Sequence, residues 1–358
     1  MRVVHIEAGR HLYGGAVQVR YLVEGLARAG VDSRLICAAG GALAGGASAE
    51  TIALPMRGDL DLALVGRLRP LLARLRPDVV HVHSRRGAEL FGGRACALER
   101  LPAVVTRRVD SRDRGLWARL KYRPYARVIA LSSAIAAELA RCGVEQARIR
   151  TIPSAVDTER YRPDSTAHVR LRTEHGLPSD ALVVTVVAQL IARKNHELLL
   201  RELPALAARH PRLRVLFFGR GPLERPLRER IRALELGAVV RLAGFRDDLP
   251  ALLPGADVLV HPAHREGLGV ALLEALAAGV PVVACAAGGV VDLIQHDVNG
   301  VLVPPGDAAA LRAALDRLLA DPAGRLRLGA AGRAQVQRAF SIDRMVDRHL
   351  EVYADVAH

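Results

Sequence analysis

Short apolar runs alternate with longer amphipathic runs along almost the whole chain. In the first half, runs typical of buried strands occupy residues 3–7, 34–38, 79–83, 103–106 and 128–131. The second half repeats the arrangement at residues 183–187, 214–218, 239–242, 257–261 and 282–284. Amphipathic stretches at helical spacing lie between them, as at 15–28 and 133–141. Buried strands that alternate with helices predict an α/β fold with two doubly wound, parallel sheets.

A polar, proline-containing stretch at residues 157–180 separates the two halves. The 358 residues are enough for two domains, each with its own core. We predict an N-terminal Rossmann-like domain at 1–165 and a C-terminal one at 166–340. Residues 341–358 are amphipathic at helical spacing and predict a closing helix. A ligand of such domains is expected at the C-terminal ends of the strands, in the cleft between the domains.

Two glutamates, Glu266 and Glu274, are eight residues apart where a loop passes into a helix. Glu266 lies beside Gly267 and Gly269, just before an apolar run, where a helix N-terminus exposes unpaired N–H groups. Glu274 follows about two turns further on, and Gly279 is predicted to end the helix. Phosphate binds well at a helix N-terminus, and a carboxylate accepts hydrogen bonds from sugar hydroxyls. The pattern therefore favours a nucleotide sugar as the ligand.

These residues stand within an ordered series of motifs. The chain resembles the retaining GT-B glycosyltransferases of family 4 over essentially its full length, most closely at 183–306. The two glutamates match the E-x7-E signature of that family, and the other matching segments are 13–16, 218–223, 257–262, 278–284, 288–292 and 299–304. The resemblance implies a GT-B fold whose C-terminal helix returns to the N-terminal domain. It also implies front-face transfer of a hexosyl unit from a nucleotide-diphosphate sugar to an acceptor hydroxyl.

The resemblance assigns the donor site to the C-terminal half. Glu274 would hold the ribose hydroxyls, and Glu266 would lie near the donor sugar and its phosphates. Lys194 would neutralise the leaving diphosphate, and Arg193 would assist as a second catalytic cation. A fixed cation and helix N–H groups stabilise the developing charge, so that no metal or other cofactor is needed. The remaining predicted donor contacts are Gly267, Leu268, Gly269, Gly219, Gly221, Phe245, Gln189 and His264.

Residues near Lys194 and at a strand exit qualify the donor prediction. Gln189 stands where the family usually has an arginine, five residues before the lysine, and Arg193 is the candidate replacement for that cation. His261 and His264 both lie at a strand exit, and we expect His264 to line the site. UDP- or GDP-linked sugars are the expected donors, although the sequence names neither the base nor the sugar.

The acceptor side is predicted in the N-terminal half. Gly14 and Gly15, in the motif at 13–16, resemble the glycine-rich loop that enters the first helix of the family. His83, at the C-terminal end of a predicted strand, is expected to line the same site. Arg108 stands where many relatives carry a histidine near the reacting centre, which changes either acceptor recognition or the local charge.

The net charge of +14 indicates an anionic partner. Nucleic acid is not expected, because no zinc finger, helix-turn-helix or basic-aromatic stacking motif is present. The basic stretch 107–123 contains the only tryptophan, Trp117, and favours contact with an anionic membrane or a phosphorylated glycolipid. Residues 62–76 offer a second basic, apolar patch. We expect a glycan or glycolipid acceptor, such as a lipopolysaccharide core or a lipid-linked saccharide.

Cysteine spacing and hydropathy bear on location. The four cysteines are far apart and match neither a zinc site nor a disulfide framework, so we expect them to be reduced and buried: Cys37, Cys96, Cys142 and Cys285. Together with an N-terminus that predicts a strand rather than a signal peptide, this favours the cytoplasm, at the inner face of the cell membrane. The apolar run 267–291 contains a proline and an acid and is predicted to be buried in the protein.

Two alternatives stay open. A nucleotide-sugar epimerase or a phosphorylase of the same fold would use a similar site, but an epimerase needs no acceptor. A non-catalytic basic protein that binds membranes or nucleic acid would show binding with steep salt dependence and no tight nucleotide site.

Asp59-Leu60-Asp61 matches the D-x-D motif of metal-dependent transferases of another fold. Here it opens an apparent helix at 60–69, and we interpret it as an N-cap.

Overall fold

The chain folds into two compact units. The computed structural model describes residues 1–11, 14–45, 50–83, 87–109 and 115–357, with only the backbone of Leu116. The first unit comprises residues 1–155 and 342–358, and the second comprises 156–341. The division falls earlier than the predicted boundary after residue 165. The backbone N–H of Val156 already donates to the carbonyl oxygen of Phe340 at 3.0 Å, which fixes residue 156 to the second unit.

The first unit contains one parallel sheet. Its strands are β1 (Arg2–Glu7), β2 (Asp32–Ala38), β3 (Glu50–Leu54), β4 (Val79–His83), β5 (Ala103–Arg107), β6 (Arg127–Ala130) and β7 (Ile149–Thr151). The seven strands lie in the order β3-β2-β1-β4-β5-β6-β7. The helices between them are α1 (Gly14–Arg28), α2 (Ala63–Leu75), α3 (Ala88–Leu98), α4 (Gly115–Tyr122) and α5 (Ser133–Arg141). Strand β4 is buried along its whole length because helices cover both faces of the sheet.

The second unit repeats this architecture with six parallel strands in the order β10-β9-β8-β11-β12-β13. The strands are β8 (Leu182–Val187), β9 (Leu213–Phe218), β10 (Val240–Gly244), β11 (Val258–His261), β12 (Val282–Cys285) and β13 (Val301–Val303). The helices are α6 (Ala167–Glu174), α7 (His196–Arg209), α8 (Glu224–Ala233), α9 (Leu249–Leu252), α10 (Val270–Ala277), α11 (Val290–Leu293), α12 (Ala308–Ala320) and α13 (Pro322–Ala339). Two doubly wound parallel sheets confirm the predicted fold class.

The closing helix α14 (Ile342–Val356) belongs to the first unit. Its apolar face, which includes Val346 and Tyr353, joins a core with Leu22 and Leu26 of α1. The packing is close, because a Cβ added at Gly25 would lie 2.5 Å from the side chain of Val346. The amphipathic pattern of the last residues therefore serves to cover α1.

Local details settle several expectations. Gly279 ends α10 with φ +76°, as predicted. The four cysteines are free and buried. Within the described part of the chain, no helix is both long and apolar enough to span a membrane.

The helical prediction at 60–69 was wrong in its start, because α2 begins at Ala63 and Asp61 does not cap it. Asp61 is buried instead and accepts hydrogen bonds from the backbone of Arg57 and the side chain of Arg67.

Each sheet has one point at which the winding of the chain reverses. In the first unit it lies between β1 and β4, and in the second between β8 and β11. Loops that leave two such strands diverge to opposite faces of the sheet, and the space between them is where open α/β sheets bind ligands. We call these places the first and the second switch point.

Candidate functional site

A charged cluster occupies the second switch point. Lys194, from a short 3-10 turn after β8, forms an ion pair with Oε2 of Glu266, which lies in the loop after β11. His261, the last residue of β11, has its Nε2 atom 2.8 Å from the same carboxylate oxygen. The other oxygen, Oε1, accepts the backbone N–H of Gly267 at 3.1 Å. A buried carboxylate thus has a cation and two N–H donors.

The surrounding backbone holds Glu266 in place. The carbonyl oxygen of Glu266 accepts the N–H of Gly289 at 3.2 Å, which ties its loop to the one after β12. A side chain at Gly288 would collide with that same carbonyl group. The N–H of His264 donates to the carbonyl of Arg193 at 3.2 Å and ties the loop to the lysine turn. The site residues therefore share one connected backbone framework.

Glu266 is ionised in this setting. Burial raises its pKa, but the hydrogen bond from His261 and the charge of Lys194 outweigh burial and leave the pKa well below its usual range. For His261, burial lowers the pKa, and the bond to Glu266 only partly offsets this effect. The cluster at neutral pH is consequently a carboxylate, an ammonium group and a neutral imidazole.

Gln189 is the departure predicted near Lys194, and Arg193 is the candidate replacement for the missing cation. Gln189 and Arg193 are both exposed. The guanidinium of Arg193 lies 3.9 Å from Oε1 of Glu266, at the limit of an ion pair. The side chain of Lys194 is far less exposed, at 11%, than that of Arg193, at 43%. The lysine is therefore the cation fixed within the cluster, and the arginine lies at its margin.

Two glycines after β9 bring backbone against backbone beside the cluster. Gly219 has φ +148°, and a Cβ there would collide with the carbonyl oxygen of Ala188, which follows β8. A Cβ at Gly221 would meet the carbonyl of Leu190 in the same way. Only glycine allows these loops to approach so closely. The predicted donor contacts at both glycines thus lie at the C-terminal edge of neighbouring strands.

Phe245 lies after β10 at the same edge and is 54% exposed. The guanidinium carbon of Arg220 lies 4.9 Å from the centre of its ring. A planar cation over an exposed ring forms a flat surface suited to another planar group. His264, which we expected to line the site, has an exposed side chain and a structural role through its backbone.

The second glutamate lies on α10. Gly269 precedes this helix with φ +101°, and the buried Leu268 anchors the loop in the core of the second unit. Burial raises the pKa of Glu274 to about 7, although a hydrogen bond from Tyr161 and the charge of Arg160 lower it. Glu274 is thus a partly buried carboxyl group whose charge changes near neutral pH.

The first switch point carries a different set of groups. His5, His81 and His83 are fully buried, and the ring centres of His81 and His83 are 4.1 Å apart. The Nδ1 atom of His5 lies 3.1 Å from Nε2 of His83. His81 bonds through Nδ1 to the hydroxyl of Tyr353 at 2.6 Å and through Nε2 to Thr106 at 2.7 Å. These contacts link β1, β4, β5 and α14.

Arg108 closes this network beside α1. Its Nη2 donates to Nδ1 of His83 over 3.4 Å, and its Cδ would lie 3.4 Å from a Cβ at Gly15. Burial lowers the pKa of Arg108 to about 10, and the charge of Glu7 partly offsets that effect. Gly14 is the exposed first residue of α1. The structure thus brings Gly15, His83 and Arg108 together, whereas residue 13 lies outside the described residues.

The three imidazoles of the first switch point are close enough to raise the question of a metal ion. One nitrogen from each of His5, His81 and His83 lies within 4.8 Å of the others. Both nitrogens of His81 already bond to protein hydroxyls, and Arg108 places a positive charge against His83. A metal would have to break these bonds beside a fixed cation, so we assign no metal to this cluster.

Three neighbours of these sites were missed from the sequence. His261 was noted at a strand exit but passed over for His264. Tyr161 bonds to Glu274 across more than a hundred residues of sequence, and Tyr353 reaches His81 from α14. The position of His261 directly before Pro262, at the end of β11, was the only signal available for any of the three.

Fold and charged cluster together define a protein with two doubly wound units and an ionic cluster at the second switch point. The family described as "Glycosyltransferase Family 4" matches residues 13–160, and "Glycosyl transferases group 1" matches residues 169–335. The chain belongs to the family 4 glycosyltransferases, which have the GT-B fold.

Individual relatives agree with this assignment. A GDP-mannose-dependent alpha-(1-6)-phosphatidylinositol monomannoside mannosyltransferase from Mycolicibacterium smegmatis is 36% identical over 198 residues, which are 52% of this chain and 51% of that protein. A D-inositol 3-phosphate glycosyltransferase from Saccharomonospora viridis is 36% identical over 218 residues, or 58% of this chain and 50% of that protein. The chain thus spans about half the length of these curated relatives.

A solved structure of similar fold covers the whole chain. The crystal structure of Anabaena HepE in complex with UDP aligns with a TM-score of 0.88 and 20% identity. The alignment covers 99% of this chain and 100% of that one. At this identity the likeness is one of fold.

Proposed function

We propose that this protein is a retaining, metal-independent glycosyltransferase that moves a hexosyl unit from a UDP- or GDP-linked sugar to an acceptor hydroxyl. The observation that carries the proposal is the ion pair of Lys194 and Glu266 at the second switch point. It joins a fixed cation to an ionised carboxylate at the edge of a parallel sheet. A nucleotide sugar needs both, because it carries a diphosphate and several hydroxyl groups.

In the proposed reaction, the bond between the anomeric carbon and the diphosphate oxygen breaks. The electron pair leaves with the nucleoside diphosphate, and the ammonium group of Lys194 stabilises the charge that develops there. The acceptor hydroxyl attacks the same face of the sugar, and its proton passes to an oxygen of the leaving phosphate. Glu266 orients the transferred sugar and the lysine. The products are a glycoside of retained configuration and the free nucleoside diphosphate.

Glu274 holds the ribose of the donor in this proposal. Its carboxyl group is partly buried on α10, and Tyr161 donates a hydrogen bond to it. A carboxylate accepts two hydroxyl groups of a ribose more readily than a neutral side chain of the same size. Phe245 and Arg220 offer a flat surface for the base. The backbone at Gly219 and Gly221, where a Cβ would collide with neighbouring carbonyl groups, is assigned to the diphosphate.

The acceptor is proposed to bind the first unit beside Gly15, His83 and Arg108. The cation of Arg108 favours an acceptor with a negative group, such as a phosphorylated glycan or glycolipid. Lipopolysaccharide core or a lipid-linked saccharide has this chemistry. A role in the synthesis of such a surface glycan would keep the protein in the cytoplasm, at the inner face of the cell membrane.

An exposed surface on α4 fits contact with that membrane. Trp117 and Leu120 are 55% and 51% exposed, and Arg119 and Arg123 are exposed beside them. Apolar rings and basic groups together bind an anionic lipid surface. The basic stretch is not solvated throughout, however, because Lys121 is buried in an ion pair with Glu89 at 2.8 Å.

Donor hydrolysis and transfer in EDTA test the proposal. Wild-type protein should release UDP from UDP-glucose or GDP from GDP-mannose without added metal, and Lys194→Ala and Glu274→Ala should both abolish most of that release. Arg225→Gln, on an exposed arginine of α8, is the control for loss of one positive charge. Strict dependence on metal would contradict the mechanism, and full activity of both alanine variants would contradict the site. An epimerised sugar formed from the donor alone would identify an epimerase.

Vesicle binding tests the membrane contact separately. The protein should sediment with vesicles that contain anionic lipid, and Trp117→Ser with Arg119→Gln should reduce the bound fraction severalfold. Equal binding to vesicles of neutral lipid alone would contradict a charge-assisted contact.

A further inference from the structure

His261 has the strongest unexplained contact at the second switch point. It is 1% exposed, and its Nε2 atom reaches the same oxygen of Glu266 that pairs with Lys194. An ionised carboxylate can only accept hydrogen bonds, so Nε2 must carry the proton. His261 is therefore a neutral donor fixed by β11, directly beneath the pair that the proposed reaction uses.

The opposite side of the imidazole is also informative. The Nδ1 atom of His261 is buried and has no hydrogen-bond partner among the residues that the structure describes. A histidine held only for packing would gain by replacement with an apolar side chain, because an unpaired buried nitrogen has a desolvation cost. The bond from Nε2 to Glu266 is the interaction that offsets this cost.

We propose that His261 is a positioning residue that holds the carboxylate of Glu266 and, through it, the ammonium group of Lys194 at the leaving diphosphate. The inference rests on the proposed function for its catalytic consequence, but the contact itself can be tested without any substrate. The imidazole touches neither sugar nor phosphate in this assignment. It restricts the position of Oε2 of Glu266, which contacts both the ammonium group of Lys194 and the imidazole of His261.

The pH dependence of the pair follows from the groups that face it. Lys194 and Arg193 face Glu266 from the 3-10 turn, and His261 faces it from β11. His196 of α7 lies near His261, and burial lowers its pKa to about 4, so it adds no charge near neutral pH. Loss of the donor from His261 would let the pKa of Glu266 rise, which moves protonation of the pair to higher pH.

A matched set of variants separates positioning from packing. His261→Gln keeps an N–H donor at nearly the position of Nε2, whereas His261→Leu fills similar volume without a donor. The control is His210→Leu, which removes another histidine-to-carboxylate bond in the second unit, 2.9 Å long to Asp316, before the start of β9. His210 has no place in the proposed site.

We expect the two variants of His261 to differ in kcat. His261→Leu should lower kcat about 10- to 100-fold, change the KM for UDP-glucose or GDP-mannose much less, and move the acid limb of the kcat profile to higher pH. His261→Gln should recover most of kcat and the wild-type acid limb, and His210→Leu should match wild type. Wild-type kcat in His261→Leu, or an equal loss in the Leu and Gln variants, would overturn the inference.

A substrate-free readout distinguishes failure of this inference from failure of the proposed function. The sequence contains only two lysines, Lys121 and Lys194. Protein labelled with 13C-lysine therefore gives two side-chain Cε signals, one from the cluster and one from an internal reference. His261→Leu should move only the Lys194 signal, and His261→Gln should leave both in place. An unmoved Lys194 signal in His261→Leu contradicts positioning, whatever activity the wild-type protein shows.

Discussion

The two switch points occupy equivalent places in two sheets of the same kind, yet their chemistry is opposite. The second combines the carboxylate of Glu266 with the ammonium group of Lys194. The first is filled by imidazoles that burial keeps neutral, and among the residues that the structure describes there, the cation Arg108 bonds to His83. Topology thus determines where a site lies, and a few side chains determine the charge of the ligand that it can bind.

The difference also explains why the two sites serve different partners in the proposed reaction. A leaving diphosphate gains negative charge, which the ionic cluster can stabilise. An acceptor hydroxyl needs orientation more than charge, and the buried network of neutral rings gives Arg108 a fixed partner in His83. Of the described residues at the first switch point, Arg108 is the one that we expect to select for a negative group.

The largest expected effect separates Lys194 from Arg108. Lys194→Met should lower kcat for donor hydrolysis about 100- to 1,000-fold, because a preorganised charge at a developing anion has an effect of that size. Arg108→Met should leave hydrolysis nearly unchanged and raise the KM for an anionic acceptor. Steady-state kinetics with donor alone and with acceptor present measure both. An equal loss of kcat for donor hydrolysis in the two variants would contradict the assignment of donor and acceptor to different switch points.

Acid should destabilise the first unit through its histidines. Burial lowers the pKa of His5 to about 3 and that of His349 to about 4, both from 6.5. Below pH 6.5 the unfolded chain takes up protons at these histidines, whereas the folded protein does so only near its lower pKa values. Each histidine therefore lowers the free energy of unfolding by about 1.4 kcal/mol per pH unit as the pH falls from 6.5 toward its folded pKa. Fluorescence of Trp117, in the first unit, should follow the transition. His349→Gln should flatten the slope, and an unchanged slope would contradict this origin.

Backbone packing in the second unit gives a smaller effect. Gly219→Ala should destabilise that unit by about 1–3 kcal/mol, because the backbone has φ +148° and the new Cβ meets a carbonyl oxygen. Gly237→Ala is the matched control, since a Cβ there would meet nothing within 4 Å. Urea unfolding followed by circular dichroism compares the two. Similar midpoints for both variants would show that the loops near Ala188 can move apart.

The smallest effect concerns the charge of Glu274. Its pKa of about 7 means that the carboxylate is lost as the pH falls below neutrality. Affinity for UDP or GDP should therefore weaken below pH 7, by at most about tenfold per pH unit. Calorimetric titration between pH 6 and 8.5 measures the trend. Glu274→Gln should bind more weakly with no such trend, and an unchanged pH dependence in that variant would assign the titration to another group.

The sequence predicted the interior strands of both sheets and the edge strand β10, and it missed the other three edge strands. Strands β7 and β13 have three residues each, and no residue of β3 is fully buried, so none of the three forms a long apolar run. An edge strand is covered less completely and needs fewer apolar residues. The central strands β4 and β8 were found because burial on both faces leaves a continuous apolar run.

The candidate sites were predictable only where their residues are neighbours in sequence. Glu266 and the glycines beside it form a local pattern that indicates a helix N-terminus. The pair of Lys194 with Glu266 spans 72 residues, and the bond of His81 to Tyr353 spans 272. No local pattern reports such contacts, and only the resemblance to a family pointed to Lys194. His261 was visible at a strand exit, but its direction into the cluster depends on the register of β11.

Titration calorimetry of UDP and GDP in EDTA tests the central claim, that the second switch point binds the diphosphate. The wild-type protein should bind one of the two nucleotides, and Lys194→Met should weaken that affinity at least tenfold. Arg108→Met, at the first switch point, should bind the nucleotide as the wild type does. Equal affinity in all three proteins, or a loss only in Arg108→Met, would contradict the account.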